Sequence, residues 1–242
     1  MNREQLKKKI RGTPVTLPTA FDENLNVDMG KMAEMTRWWV DQGCGTDFAP
    51  LKTTAAMGQG PDVRDDEWPH ILRTVVNAAG PDATVICGLK PKDTLSTIED
   101  AKKAQDLGAV GLQIDLPFFH HCNQDDNVRH FSKISDAIDI GIMIYNTHWF
   151  CYDPAKEAMN ADSMLRLKDS EHVVAIKWST PEGMDWYQWE RFSDIFNVID
   201  NSGRKTAVYN HKNGGAGYIS YFIATYPAHD LEVFQLMENG KY

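Results

Sequence analysis

Lys177 stands near the end of Val173-Val174-Ala175-Ile176-Lys177-Trp178, a short apolar run rich in β-branched residues. Such a run fits a strand buried on both faces, as in a parallel sheet. Burial disfavours the charged form of a lysine and lowers its pKa, and the neutral amine can form a Schiff base with a carbonyl substrate. The plain alternative is a strand-end lysine whose head reaches water. Tyr145 ends another apolar run, Ile142 to Asn146. Its hydroxyl both donates and accepts, so it can relay protons beside such an amine. Thr53-Thr54 lies in a loop of small residues, where hydroxyls and backbone N–H groups suit a carboxylate. Amine nucleophile, proton relay and carboxylate cradle together describe a site for a 2-oxo acid.

Other residue groups offer rival chemistry. Lys52 and Lys90 also follow apolar runs. Either can be read as the nucleophile or as a cation that depresses the pKa of Lys177, but the sequence favours solvated loop charges for both. His120-His121-Cys122, His130 and His148 raise a metal-dependent barrel lyase as an alternative. Adjacent histidines diverge, and no H-x-H or H-E-x-x-H spacing occurs, so no metal is expected. Trp186, Tyr187 and Trp189 read as packing residues.

The elements that must position these groups follow in regular order. Strands are expected at Thr13–Phe21, Thr46–Leu51, Ala83–Leu89, Val110–Ile114, Ile142–Asn146, Val173–Trp178, Asn197–Asp200 and Gly214–Ser220. Helices are expected at Val27–Gln42, Asp66–Ala79, Thr94–Leu107, Asp126–Ile138, Ala161–Lys168, Met184–Phe192, Arg204–Asn213 and Ala228–Met237. Eight such units without a linker predict one α/β domain over residues 1–242, a (β/α)8 TIM barrel. No G-x-G-x-x-G follows the first strand, which lowers a dinucleotide-binding reading. The site of such a barrel lies at the carboxyl ends of its strands. Those ends carry Thr19, Lys52, Asp115, Tyr145, Asn146, Lys177, Asp200 and Ser220, among others.

Composition narrows the partners. A net charge of -9 disfavours nucleic acid and anionic membrane surfaces. No apolar run approaches the roughly 20 residues that span a bilayer. The basic amino terminus is followed by no apolar signal core, and the four cysteines form no C-x-x-C pair. A cytoplasmic protein without disulfides, cofactor or metal is expected.

The same motifs give the chain a resemblance. It resembles the dihydrodipicolinate synthase and N-acetylneuraminate lyase family of class I aldolases over essentially its whole length. Val174-Ala175-Ile176-Lys177-Trp178-Ser179 is similar to the family's G-I-K-[DE]-[ST] Schiff-base strand. Tyr145-Asn146 is similar to its Y-N-x-P segment, Thr53-Thr54 to its G-T-T-G-E loop, and Gly214 to Ser220, including Ile219, to its late G-x-x-G-x-I-S strand. The resemblance implies a barrel, a Schiff base between Lys177 and a pyruvate-like acid, Tyr145 as acid and base, and a homo-oligomer, dimer or tetramer. Thr53, Thr54, Asn146 and Ile219 become substrate-binding candidates. The chain reaches Tyr242 just past the eighth helix, so the family's C-terminal helical extension is expected to be short or absent.

Departures from the pattern bear on the substrate. Ala55-Ala56 follow the threonines in place of glycine and glutamate. Phe118-Phe119 stand where the synthases carry a relay tyrosine, His148 replaces the proline, and Phe150 replaces an arginine that holds the second substrate's carboxylate. A phenyl ring makes no bidentate carboxylate contact. An apolar pocket with Phe119 and Phe150, and His148 as a substitute proton carrier near neutral pH, is expected. The reading is a lysine Schiff-base lyase or aldolase acting on pyruvate or a related 2-oxo acid, other than dihydrodipicolinate synthase. A catalytically altered barrel that binds a small ligand or protein partner is the alternative.

Overall fold

The computed structural model describes residues 1–117, 121–149, 151–180 and 184–242. Eight parallel strands form one curled sheet in the order β1 to β8. They are β1 Val15–Thr16, β2 Leu51–Thr53, β3 Val85–Leu89, β4 Gly111–Asp115, β5 Gly141–Asn146, β6 Val173–Trp178, β7 Asn197–Asp200 and β8 Gly217–Tyr218. Gly12, just before β1, bridges Gly217 in parallel, so the two edges of the sheet meet. The Gly12 N–H donates to the Ala216 carbonyl and the Tyr218 N–H donates to the Gly12 carbonyl, at 2.8 and 3.0 Å.

The helices are α1 Arg3–Lys9, α2 Met29–Asp41, α3 Trp68–Ala79, α4 Thr94–Asp106, α5 Gln124–Ser135, α6 Pro154–Glu157, α7 Ala161–Leu165, α8 Arg204–Lys212 and α9 Pro227–Glu238. Side-chain caps set their starts. The Asp28 carboxylate accepts from the Lys31 N–H, Asp93 accepts from Leu95 and Ser96, and Asn123 forms a capping box with Asp126. Period-two alternation along the strands sorts the apolar residues. Leu112, Ile114, Ile142, Ile144, Ile176 and Trp178 join the large core between sheet and helices. Ile86, Met143, Ala175 and Ile199 line the inside.

The basic amino terminus, given no element in the sequence reading, is a capped helix. Asn2 and Gln5 form its capping box. Leu6 and Ile10 follow at helical spacing and plug the inside of the sheet. Glycine at 111 and 141 leaves room for that plug, since a Cβ at either would lie 2.4 Å from Ile10 Cδ1. The interior is thus apolar at one end, and polar groups collect at the carboxyl ends of the strands.

Two expectations need correction. β2 begins at Leu51 rather than at Thr46, because residues 45–49 form bends and the Gly45 N–H turns back to the Ala49 carbonyl. Lys52 is therefore inside a strand. The segment read as a helix over Met184–Phe192 is a 3-10 helix, Trp186–Arg191, opened by the Asp185 carboxylate on the Tyr187 N–H.

His130 on α5 shows how the helix layer responds to acid. Burial pushes its imidazole down to about 4, and its Nδ1 lies 2.9 Å from the Thr94 hydroxyl. The unfolded chain protonates this ring near 6.5, so the contribution of His130 is complete above 6.5 and is lost as pH falls towards 4. The loss is roughly 3 kcal/mol at 1.36 kcal/mol per unit. Urea titrations between pH 7 and 4 measure it, and His130→Gln should flatten the slope within that window.

Candidate active site

Asp115, Tyr145 and Lys177 are lateral partners on β4, β5 and β6, in one row across the sheet. All three are buried. The Lys177 Nζ lies 3.5 Å from the centroid of the Tyr145 ring. Burial, and next the Lys52 charge, hold the Lys177 amine well below the usual lysine range against the pull of Asp115. Such a shift favours the uncharged form of an amine, the form that can act as a nucleophile. The Tyr145 hydroxyl accepts from Asn201 Nδ2 at 3.3 Å, and the same amide donates to Ser179 Oγ at 2.9 Å. Burial raises the Tyr145 pKa, so it stays a phenol through the neutral range.

A narrow cleft opens onto the amine, lined by Thr16, Lys52, Ala55, Ala56, Met57, Tyr145, Trp149, Asn201 and Tyr221. Trp149, Asn201 and Tyr221 also border a wider, open depression, lined further by Ser202, Ile219, Ser220 and Phe222. No lysine or arginine lines that depression among the described residues.

Lys52 is fully enclosed, contrary to the expectation of a solvated loop charge. Its Nζ donates to Gln113 Oε1 at 3.0 Å, and Gln113 Nε2 donates to Asp115 Oδ1 at 3.0 Å. Burial lowers Lys52 to about 8 against the raising effect of Asp115. Burial likewise raises the Asp115 carboxyl, opposed by Lys177, Gln113 and Lys52. Lys90, the other strand-end lysine, sits outside the cleft, donates to the Val63 carbonyl and pairs with Asp65 at 3.3 Å.

Thr53, read in the sequence as part of a loop, is the last residue of β2, and Thr54 follows it. Neither Thr53 nor Thr54 is among the residues lining the Lys177 cleft. Thr54 takes a left-handed backbone, φ 55°, and its hydroxyl donates to the Gly88 carbonyl at 2.7 Å. Gly88 lacks a side chain where one would lie 2.8 Å from Ala55 Cα, so the turn after β2 packs directly on β3. Among the described residues the buried Thr53 hydroxyl has no hydrogen-bond partner, nor has that of Thr16, which does line the cleft.

Asn146 alternates with Tyr145 and faces away from the cleft. Its amide pairs with the Met159 backbone in both directions, at 3.0 and 2.9 Å. His148 stacks edgewise near Trp149 and does not line the cleft. Ile219 lines the outer depression. Phe118, Phe119, His120 and Phe150 lie outside the described residues. Among those described, no three His, Cys, Asp or Glu side chains converge as metal ligands.

Sequence reasoning missed Gln113, Asn201, Ser179 and Thr16 and misjudged Lys52. One signal was present. Gln113 and Asp115 are polar residues two apart in an otherwise apolar strand, which puts both on one face of β4.

Comparison with known proteins places this architecture. The chain is 31% identical over 161 residues to a 4-hydroxy-tetrahydrodipicolinate synthase of Acidothermus cellulolyticus, covering 66% of this chain and 49% of that protein. It is 26% identical over 234 residues to 4-hydroxy-tetrahydrodipicolinate synthase 1 of Halalkalibacterium halodurans, covering 92% and 73%. The first of these relatives is thus matched over only about half its length. The crystal structure of dihydrodipicolinate synthase from Aquifex aeolicus superposes with a TM-score of 0.80 at 24% identity, covering 96% of this chain and 76% of that one. The model of the dihydrodipicolinate synthetase family matches residues 9–242, and the chain belongs to that family.

Proposed function

We propose that this chain is a Schiff-base-forming lyase or aldolase acting on pyruvate or a related 2-oxo acid. The observation that carries the reading is the buried, pKa-depressed amine of Lys177 seated 3.5 Å over the Tyr145 ring. The curled sheet is read as a (β/α)8 barrel forming one domain, supported by the Gly12–Gly217 bridge between its edges. Its reacting groups then lie at the carboxyl ends of the strands, where barrels of this kind hold their sites.

The free electron pair of Lys177 Nζ attacks the keto carbon and gives a carbinolamine. Tyr145 donates a proton to the departing hydroxyl, water leaves, and a protonated imine remains. That cation draws electrons from the neighbouring carbon–carbon or carbon–hydrogen bond, which permits cleavage, addition or dehydration. Tyr145 takes a proton back in the reverse sense, with the Asn201 amide donating to its hydroxyl and to Ser179 Oγ. Thr53-Thr54 remains a carboxylate-binding candidate through its turn backbone, with the Thr53 hydroxyl, unpartnered among the described residues, beside it. No cofactor enters these steps.

The acceptor side of the cleft supports a substrate other than that of the synthases. Aromatic and hydroxyl groups line the outer depression, and no cation there answers a second carboxylate among the described residues. A neutral aldehyde acceptor or leaving group fits this lining. The exposed rings of Trp149, Tyr152 and Tyr221 suit coverage by a second subunit, as a homo-oligomer would give.

Borohydride reduction in the presence of pyruvate, followed by mass spectrometry of peptides, tests the reading. The expected product is a reduced pyruvyl adduct on Lys177. Absence of any adduct there across a panel of small 2-oxo acids overturns it.

A further inference from the structure

We propose that Lys52 and Asp115, joined through Gln113, are positioning residues that hold Lys177 as the free amine by forming the one ion pair the interior can neutralise. The inference rests on Lys177 being the Schiff-base lysine.

Three ionisable side chains share one enclosed space: Lys52 on β2, Asp115 on β4 and Lys177 on β6. One carboxylate neutralises one ammonium. A second buried ammonium would stand uncompensated, at a cost of several kcal/mol. The hydrogen-bond chain decides which amine keeps its proton. Gln113 accepts from Lys52 through Oε1 and donates to Asp115 through Nε2. Rotating the amide would set its oxygen against the carboxylate, so the polarity runs from Lys52 to Asp115. Lys52 is thereby the ammonium and Asp115 the carboxylate. Lys177 rests on the face of Tyr145, a weaker host for charge than a carboxylate. The depressed pKa values of both lysines agree with this order.

The other groups around Lys177 do not alter the count. Tyr145 on β5 is a phenol at neutral pH. Asp200 on β7 is the lateral partner of Trp178, not of Lys177, and its carboxylate accepts from the Thr206 hydroxyl and the Ser202 N–H. Lys52 and Lys177 are the only cationic side chains lining the cleft among the described residues.

The charge count also bears on the substrate. The resting interior carries Lys52 as +1, Asp115 as −1 and Lys177 as 0. Condensation consumes the amine, the carbonyl and one proton and releases water, leaving an iminium of +1 once solvent has returned to Tyr145 the proton it gave to the departing hydroxyl. A 2-oxo acid brings the −1 that returns the interior to zero. A simple ketone or aldehyde leaves an unpaired cation. The pair therefore favours a carboxylate-bearing carbonyl at Lys177.

Competitive labelling with trace acetic anhydride across pH, read by peptide mass spectrometry, gives the titration midpoint of Lys177 whether or not it forms a Schiff base. Lys52→Met leaves Asp115 to attract a proton onto Lys177. Its midpoint is expected to rise by a unit or more, and the rate of borohydride-trapped pyruvate adduct at pH 7 to fall about tenfold per unit. Lys52→Arg keeps the cation and should return the midpoint towards that of the wild type. Asp115→Asn removes the attraction and should lower the midpoint, which serves as the test if Lys52→Met does not fold. An unchanged Lys177 midpoint in Lys52→Met, or a rise in Asp115→Asn, overturns the proposal. Midpoint shifts without any pyruvate adduct uphold the ion pair and sink the lyase reading instead.

Discussion

Lys177→Met is expected to form no borohydride-stable adduct with pyruvate, to lose activity, and yet to unfold less readily than the wild type at neutral pH. The loss of turnover is expected on the order of 10^4-fold or more, as removal of an enzymatic nucleophile gives. Methionine has nearly the same reach as the lysine stem, so the space beside Tyr145 stays filled. The stability gain follows from the direction of the Lys177 shift. Its folded pKa lies well below that of the unfolded chain, near 10.4. Between those two values the unfolded chain binds the extra proton, so the lysine destabilises the fold there, by about 1.4 kcal/mol for each unit of depression. The handicap is fully present below the folded pKa and fades as pH rises towards 10.4. Urea titrations at pH 7 and pH 10 should therefore show a gain in Lys177→Met that shrinks at the higher pH. An active variant refutes the nucleophile assignment. A variant destabilised at pH 7 shows that Lys177 is held by favourable contacts rather than strained for chemistry.

The sequence carried the architecture well, because the sheet is built from β-branched runs that are buried on both faces. Val173–Trp178 and Gly141–Asn146 are strands as their composition requires, and Tyr145 and Lys177 are lateral partners. Local backbone conformation was harder to read. Thr46 to Leu51 has the apolar content of a strand, yet a reverse turn occupies residues 45–49 and the pairing starts at Leu51. That shift of a few residues carries Lys52 from an apparent loop into the interior, since side-chain direction in a strand repeats every second residue. The same alternation excludes Asn146 from the cleft once Tyr145 faces inward. Thr54 shows another limit. Its left-handed backbone arises from the packing of the turn against Gly88, a contact between segments over thirty residues apart. No local pattern encodes it. The Lys52–Gln113–Asp115 chain likewise exists only because the curled sheet brings β2 and β4 to one interior.

Tyr145→Phe separates the two roles that this ring combines. The phenyl ring keeps the seat beneath the Lys177 Nζ, so adduct formation with pyruvate should persist, though more slowly because nothing on the ring protonates the departing hydroxyl. The lost hydroxyl removes the proton carrier, and turnover should fall about 10^2- to 10^3-fold, the range for general acid–base groups. Exchange of pyruvate methyl protons with solvent deuterium follows the same proton transfer and should slow in parallel, read by NMR. Stability should change by no more than about 1 kcal/mol, since Asn201 Nδ2 retains its bond to Ser179. The pH profile gives an independent check. In the wild type, burial raises the Tyr145 pKa, so the phenol is the resident form at neutral pH and activity should fall only as pH climbs through that raised value. The variant has no phenol to titrate, and its residual activity should lack that alkaline fall. If turnover in Tyr145→Phe equals that of the wild type, the proton carrier is another group. The Ser179 hydroxyl, on the same Asn201 amide, is then a candidate.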